Sequence, residues 1–318
     1  MVGAMTSAAV FGGAGFIGTH LTDRLVSAGV TVHIVDLDAP TEGTRRHWHQ
    51  VDVRSPIALE IGHVDVAFNL AAVHRTPGHD DHEYYDTNVA GALNVTAWCA
   101  AHGVDDLVFT SSISVYGPSE EPKDETSLPT PNSAYGRSKL LAEGIHSDWR
   151  EAATGRRLVV ARPAVVFGRG ERGNFTRLAA ALRKRRFVYP GRSDTVKACI
   201  YVADLVDSLL YIHQGNTDQV VYNACYDQDW TIGEICEAFH RVAGFELPRT
   251  VPPLVMRTAL AGLSALPARD RASSLHPDRV RKLTNSTRVV PAELRARRYP
   301  WRHDLESALR EWAGDDFT

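Results

Sequence analysis

The run Ala8-Ala9-Val10-Phe11-Gly12-Gly13-Ala14-Gly15-Phe16-Ile17-Gly18 decides how the rest of the chain is read. A short apolar stretch of strand character ends at a glycine. The glycines at 12, 15 and 18 then open a segment, Ile17 to Ala28, with the apolar spacing of a helix. Glycine serves a different need at each position: a tight turn, a close approach of the backbone to a pyrophosphate, and close packing of helix on strand. The start of a helix also offers free amides to an anion. Gly12, Gly15, Phe16, Ile17 and Gly18 are therefore candidate contacts for a dinucleotide, and the strand before and helix after make the motif more than a chance glycine turn.

Working outward, Val30 to Val35 reads as the second strand, and Asp36 closes it 18 residues beyond Gly18. An acidic side chain there can accept hydrogen bonds from the adenosine ribose hydroxyls and repels a 2'-phosphate, so NAD is expected over NADP. Arg45 and Arg46 follow in the same loop and offset part of that repulsion, which leaves NADP open. Asp52 and Val53, after the segment Trp48 to Val53, can present a carboxylate and an amide to the adenine. Leu70, Ala71 and Ala72 end the strand Val64 to Leu70 with residues small enough for close cofactor packing. For these two groups, a turn-capping carboxylate and ordinary tight packing explain the residues almost as well.

The alternation continues with a helix from Tyr84 to Ala101, a strand Leu107 to Thr110, a helix Ala134 to Ala153 and a strand Leu158 to Val166. Near-continuous apolar strands separated by helices imply a parallel sheet buried on both faces. The expected fold is α/β: a Rossmann-type doubly wound parallel sheet with a smaller, mostly C-terminal substrate-binding domain. Residues 1–172 and 195–229 are assigned to the dinucleotide domain, and 173–194 and 230–318 to the substrate side. In the second half a basic helix (Phe175 to Arg186), strands near Phe187 to Tyr189, Ala198 to Val202 and Val220 to Cys225, and helices Asp204 to His213 and Thr231 to Ala243 are expected. Thr231 and Glu234 form a capping box at the start of the last. From Pro252 to Trp312 only short helices are anticipated.

Composition narrows the function classes. A formal charge of -3 over 318 residues gives no electrostatic case for a phosphate polymer, so nucleic acid is not an expected partner. The four cysteines, Cys99, Cys199, Cys225 and Cys236, are scattered without a CxxC pair, which points to neither a metal site nor a disulfide framework. No apolar run reaches the roughly 20 residues of a membrane-spanning helix, and no secretory signal precedes the first strand. A cytoplasmic protein, with no membrane partner, is the expectation.

Tyr135 and Lys139, in YGRSK, are one helical turn apart and share a helix face. An ammonium beside a phenol would favour phenolate and lower the tyrosine pKa from about 10, as a general base on a sugar hydroxyl requires. Alone, such a pair is better read as a surface contact. Ser111 and Ser112, however, end the fifth strand at the carboxyl edge, where open parallel sheets bind ligands, and a hydroxyl there can pass a proton to the tyrosine. Asn88, in the preceding helix, can hold a backbone group or water behind Lys139.

GGAGFIG, Asp36, LAA, YYDTNV, SSISVYG, YGRSK and the Arg162-Pro163 pair occur in this order, and together they resemble the extended short-chain dehydrogenase/reductases. The resemblance is to the NAD-dependent epimerase/dehydratase branch typified by UDP-glucose 4-epimerase, strong over roughly residues 8–210. It implies Ser112, Tyr135 and Lys139 as catalytic residues, with Asn88 and Pro163 joining Tyr135 and Lys139 around the cofactor NAD. It further implies a nucleotide-sugar substrate, UDP-hexose first, touched by Ser112, Ser114, Asn174 and Lys197, with Arg279 or Arg281 as a second phosphate contact. Lys197 stands where relatives commonly carry an arginine, which keeps the charge and loses the bidentate fork. A homodimer formed through the helices Tyr84 to Ala101 and Ala134 to Ala153 is also implied.

Within that branch, 4,6-dehydratases carry an Asp-Glu pair directly after the catalytic hydroxyl residue, whereas this chain has Ile113 and Ser114. An apolar side chain cannot transfer a proton, which counts against dehydration. Carbon 4 epimerisation through a 4-keto intermediate is the leading expectation. Reduction of a 4-keto sugar by NADH or NADPH stands second, and a non-catalytic dinucleotide-binding regulator is the alternative of another class. The His-rich stretch His74 to His82 reads first as a solvated loop, with shaping of the sugar pocket or adventitious metal binding as the alternatives.

Overall fold

In the computed structural model, residues 5–40, 47–74, 78–215, 217–252 and 283–318 are described. Arg45, Arg46, Arg279, Arg281 and part of the His74 to His82 stretch lie outside them. Seven strands form one parallel sheet: β1 (Ser7–Phe11), β2 (Thr31–Asp36), β3 (His47–Gln50), β4 (Val66–Asn69), β5 (Asp106–Thr110), β7 (Arg157–Pro163) and β11 (Gln219–Ala224). Their order is β11-β7-β5-β4-β1-β2-β3, so the winding reverses between β1 and β4. That reversal opens a crevice at the carboxyl ends of the two strands, the usual ligand site of open α/β sheets.

Period-two alternation builds both faces at once. Ala8 and Val10, with Val32, Ile34, Val66, Phe68, Val108 and Val159, face one core together with Leu21 and Leu25 of α1 (Phe16–Ser27) and Leu205 and Leu209 of α5 (Val202–His213). Ala9, Phe11, Val35, Ala67, Leu107, Phe109 and Val160 face the other, against Val95 and Trp98 of α2 (Asp81–Ala101) and Ala142 and Trp149 of α3 (Ala134–Glu151). Leu21 and Leu25 are fully buried, and truncating either to alanine is worth about 2–5 kcal/mol of stability. A third core holds the C-terminal lobe: Phe167, Phe175 and Leu182, the latter two from α4 (Asn174–Arg183), pack with Phe239 of α6 (Ile232–Ala243) and with Leu309 and Trp312 of the helix Leu305–Ala313.

Several elements differ from the sequence expectation for identifiable reasons. The helix expected from Tyr84 begins a turn earlier, because Asp80 and Glu83 form a capping box that apolar periodicity does not register. The strand expected as Leu158 to Val166 is two. Pro163 has no amide hydrogen with which to continue the ladder, and β8 (Val165–Phe167) pairs instead with β10 (Cys199–Tyr201). The segment Trp48 to Val53 is strand only to Gln50, since Asp52 starts a turn closed by Ser55 N on its carbonyl at 3.1 Å. The basic helix stops at Arg183, and Arg185 takes a left-handed φ of 54°. Three short strands were not anticipated: β6 (Ser119–Lys123), β12 (Arg249–Val251) and β13 (Thr287–Val289). β12 pairs with β9 (Val188–Pro190), and β13 with β6.

Candidate active site

The glycine loop is held by backbone contacts. Gly12 sits at φ +78°, and a Cβ there would lie 2.6 Å from Ala71 N, so the loop is pressed against the end of β4. A Cβ on Gly18 would come within 2.2 Å of Gly12 O, which ties the helix to the turn. At Gly15 a Cβ meets nothing nearer than Gly12 O at 3.2 Å. This glycine is exposed, so its backbone is open to a pyrophosphate, and α1 begins here with no side-chain cap on its first amides. The half-buried Asp36 accepts from Ala14 N at 3.0 Å through one carboxylate oxygen, and from Asp38 N at 3.3 Å through the other. These residues fit NAD: a cradle that any side chain would fill, and an acceptor at the end of β2.

The remaining cofactor candidates differ in their engagement. Leu70, Ala71 and Ala72 follow β4 beside Gly12, with Leu70 N donating to Phe11 O at 2.8 Å. The Asp52 carboxylate is taken by Arg54, whose guanidinium lies 2.6 Å away and draws its pKa below the usual range. Val53 buries its side chain and offers its carbonyl to Asn94 Nδ2 at 2.7 Å. Pro163 ends β7 in a buried position.

On the catalytic face, Ser112 caps the 3-10 turn Ile113–Val115. Its hydroxyl accepts from Ser114 N at 3.1 Å and donates to Ser114 Oγ at 3.1 Å, and it bears on the phenol of Tyr135, favouring phenolate. Ser111 points elsewhere: its hydroxyl is buried and donates to Glu143 Oε1 at 2.5 Å. Tyr135 is half-buried, with the Tyr84 ring 6.0 Å away. His79, in the His-rich stretch, packs on Tyr84 at 5.9 Å and contacts Glu83 at 3.0 Å, so that stretch reaches the tyrosine through one aromatic neighbour.

The lowering of the tyrosine pKa expected from Lys139 meets an opposing effect of burial. Desolvation dominates and pushes the Tyr135 phenol up to about 12, with the Ser112 hydrogen bond opposing. Lys139 is 2% exposed and donates to the Thr110 carbonyl at 2.8 Å, over the face of Phe109. Burial pulls its own ammonium down to about 7, with the Glu143 charge opposing. Asn88 is buried and holds a backbone group: its side chain brackets Val73, accepting at 2.9 Å and donating at 3.1 Å, and donates to Ser138 Oγ, next to Lys139 in the chain, at 2.9 Å. It thereby fixes the β4–α2 connection to the catalytic helix.

On the substrate side, Asn174 is the exposed first residue of α4 and accepts from Arg177 at 3.0 Å. The α4 amides are partly satisfied by the buried Glu171, whose carboxylate accepts from Thr176 N at 2.8 Å. Lys197 is half-buried and reaches Asn285 O at 2.5 Å. What sequence reading missed is the layer beneath the tyrosine: Thr110 O as the lysine's acceptor, and the buried pair Glu143–Arg162. Glu143 stands four residues after Lys139, a spacing that was available as a signal.

A doubly wound sheet with a glycine cradle and a Ser–Tyr–Lys face at its carboxyl edge defines a dinucleotide-dependent enzyme of the short-chain dehydrogenase/reductase type. Residues 8–225 match the NAD dependent epimerase/dehydratase family, and the chain belongs to that NAD-dependent enzyme family. It is 34% identical over 206 residues to the N-acetyl-alpha-D-glucosaminyl-diphospho-ditrans,octacis-undecaprenol 4-epimerase of Escherichia coli O157:H7, a match covering 64% of this chain and 61% of that protein, under two thirds of its length. It is 31% identical to UDP-glucose 4-epimerase 4 of Oryza sativa subsp. japonica, over 77% of this chain and 78% of the relative. Among solved structures, MoeE5 in complex with UDP-glucuronic acid and NAD superposes with a TM-score of 0.75 at 23% identity, over 98% of this chain and 99% of that one. At that identity the likeness speaks to fold alone.

Proposed function

We propose that the protein epimerises carbon 4 of a nucleotide-activated sugar, UDP-hexose first, through a 4-keto intermediate. The observation that carries this reading is Ser112 capping the turn at the carboxyl end of β5, where it bears on the Tyr135 phenol, with Ile113 where a dehydratase needs a proton-transferring side chain. The named epimerases among the relatives support it. Bound NAD supplies the hydride acceptor and, when oxidised, a positive charge that favours phenolate. Ser112 bridges the sugar hydroxyl to Tyr135, which takes the proton. Lys139, fixed by the Thr110 carbonyl, adds positive charge beneath the tyrosine when protonated. Asp36 orients the adenosine ribose. Asn174, Ser114 and Lys197 hold the substrate, residues 173–194 and 230–318 supplying most of that side. The lipid-linked diphosphate sugar in the name of the Escherichia coli relative makes a polyprenyl-diphospho-sugar the second substrate to try.

The test is incubation with a panel of UDP-hexoses and a polyprenyl-diphospho-N-acetylhexosamine, with and without added NAD, followed by NMR of the products. Interconversion of C4 epimers without consumption of cofactor is the expected result. Stoichiometric consumption of NADH or NADPH on a 4-keto sugar would move the assignment to a reductase.

We further propose that a second copy of the chain packs on α2 and α3, which lie side by side. Leu93 and Leu141 are 54% and 53% exposed there. Sedimentation of Leu93→Glu/Leu141→Glu should show a monomer where the parent protein is a dimer.

A further inference from the structure

One helical turn from Lys139 on α3 begins a buried ion pair that no step of the proposed reaction uses. Glu143 lies one helical turn after Lys139 on α3 and is 7% exposed, and Arg162 on β7 is 6% exposed. The guanidinium grips the carboxylate through two hydrogen bonds, 2.9 Å from Nε to Oε1 and 2.7 Å from Nη2 to Oε2. The carboxylate also accepts from Ser111, at the end of β5 next to the catalytic serine. The guanidinium donates once more to Tyr116 Oη at 2.7 Å, and that hydroxyl donates to Asn223 Oδ1 at 2.9 Å. A fork-to-fork pair with its outer valences filled fixes its charges in place.

A buried ion pair is poor evidence of added stability, since desolvation offsets most of the attraction, so its presence here calls for another reason. We propose that Glu143 is a positioning residue for the reaction: clamped by Arg162, its carboxylate keeps Lys139 in the ammonium form that the tyrosine requires. The proposal rests on the Tyr135 and Lys139 roles assigned above.

The surroundings of Lys139 leave few other sources of negative charge. From β5 come a neutral carbonyl, Thr110 O, and the ring of Phe109. From α3 come Glu143, the phenol of Tyr135, and His146, buried and held neutral with its pKa drawn down to about 4 by desolvation. From β7 comes Arg162, and beyond it Tyr116, whose phenol burial holds protonated. Among the described residues Glu143 is the one carboxylate that bears on the amine, and it opposes the pull of burial toward the neutral form. Arg162 orients that charge and is itself kept cationic by it, its pKa raised by the carboxylate against the cost of burial.

The chain has five lysines, Lys123, Lys139, Lys184, Lys197 and Lys282, so 13C-lysine labelling resolves the Cε signal of Lys139, assigned by its loss in Lys139→Met. Its midpoint should lie near neutrality in the free protein. In Glu143→Gln/Arg162→Gln, which removes both charges and preserves hydrogen-bonding groups, the midpoint should fall by about one pH unit. In Arg162→Gln, which keeps the carboxylate, it should not fall. The single Glu143→Gln leaves a buried guanidinium unpaired, and if it fails to fold the double variant carries the test. An unchanged midpoint in the double variant, or an equal fall in Arg162→Gln, overturns the proposal. This readout needs no substrate, so it stands apart from the epimerase reading. With UDP-glucose as substrate, the alkaline limb of kcat should move to lower pH in the double variant while KM stays put. A uniform loss with an unmoved limb would make the pair merely structural. Absence of turnover in the parent protein would instead count against the epimerase reading.

Discussion

The glycine cradle and the catalytic face lie at neighbouring strand ends, yet they are built by different means. The cradle is backbone: its shape follows from three glycines whose missing Cβ atoms leave room for Ala71 and, twice, for Gly12 O. The face is side chain: what Tyr135 and Lys139 can do depends on Ser112, Thr110, Glu143 and Arg162, which come from the turn after β5, from β5, from α3 itself and from β7. A site made of backbone changes when a Cβ is added. A site made of side chains changes when a distant charge or hydrogen-bond partner is altered.

The largest effect expected is on the face. Tyr135→Phe should lower kcat by about 10²–10⁴-fold, the range of a lost general base, while NAD affinity measured by calorimetry is unchanged. A parallel loss of NAD binding would mean that the two regions are not separable. The parent protein's Tyr135 should also show no phenolate absorbance near 295 nm at pH 9 without cofactor, with the signal appearing on addition of NAD. The Tyr135→Phe difference spectrum identifies it.

Next is the buried ring behind the lysine. His146 stacks on Phe109 with centroids 4.0 Å apart, and its folded pKa is depressed to about 4 from 6.5. The unfolded chain therefore binds the proton first as pH falls, so the stability present above pH 6.5 is lost progressively down to about pH 4. The loss attributable to this one group is on the order of 3 kcal/mol. Urea midpoints between pH 7 and 4.5 measure it, and His146→Gln should flatten the slope. A slope unaltered by the substitution would place acid sensitivity elsewhere.

Smaller effects belong to the cradle. Gly18→Ala drives a methyl group into Gly12 O, costing about 1–3 kcal/mol of folding stability and weakening NAD binding. The titration of Lys139 should be untouched. Asp36→Asn should weaken NAD by roughly tenfold, since a hydrogen bond to a charged acceptor is worth about 1.5–3 kcal/mol, and narrow the preference over NADP. Direct titration of both cofactors is the check.

Legibility in the sequence follows the same division. The β1–α1–β2 unit and the glycine roles were readable because each depends on residues close in the chain, such as the Leu21–Leu25 spacing and the position of Asp36. The early start of α2 was readable in principle from Asp80 and Glu83. The break at Pro163 was written in that residue, although the apolar run around it masked the break. Ser111 and Ser112 could not be told apart by pattern alone; the family motif favoured Ser112, but only the fold sends one hydroxyl to Glu143 and the other to the tyrosine. Nor could the direction of the Tyr135 shift be read, because spacing on a helix shows that two side chains share a face and says nothing about how dry that face becomes.

Local order along the chain, through strand alternation, helix spacing and glycine placement, was enough to determine the doubly wound sheet and the dinucleotide cradle, and to put Tyr135 and Lys139 on one helix face. Burial and partnership are properties of the packed whole, since desolvation and charge pairing arise only when segments distant in the chain meet. Tertiary structure alone decided that Lys139 leans on Thr110, that Asn88 braces Val73, and that Arg162 clamps a carboxylate beneath the active site.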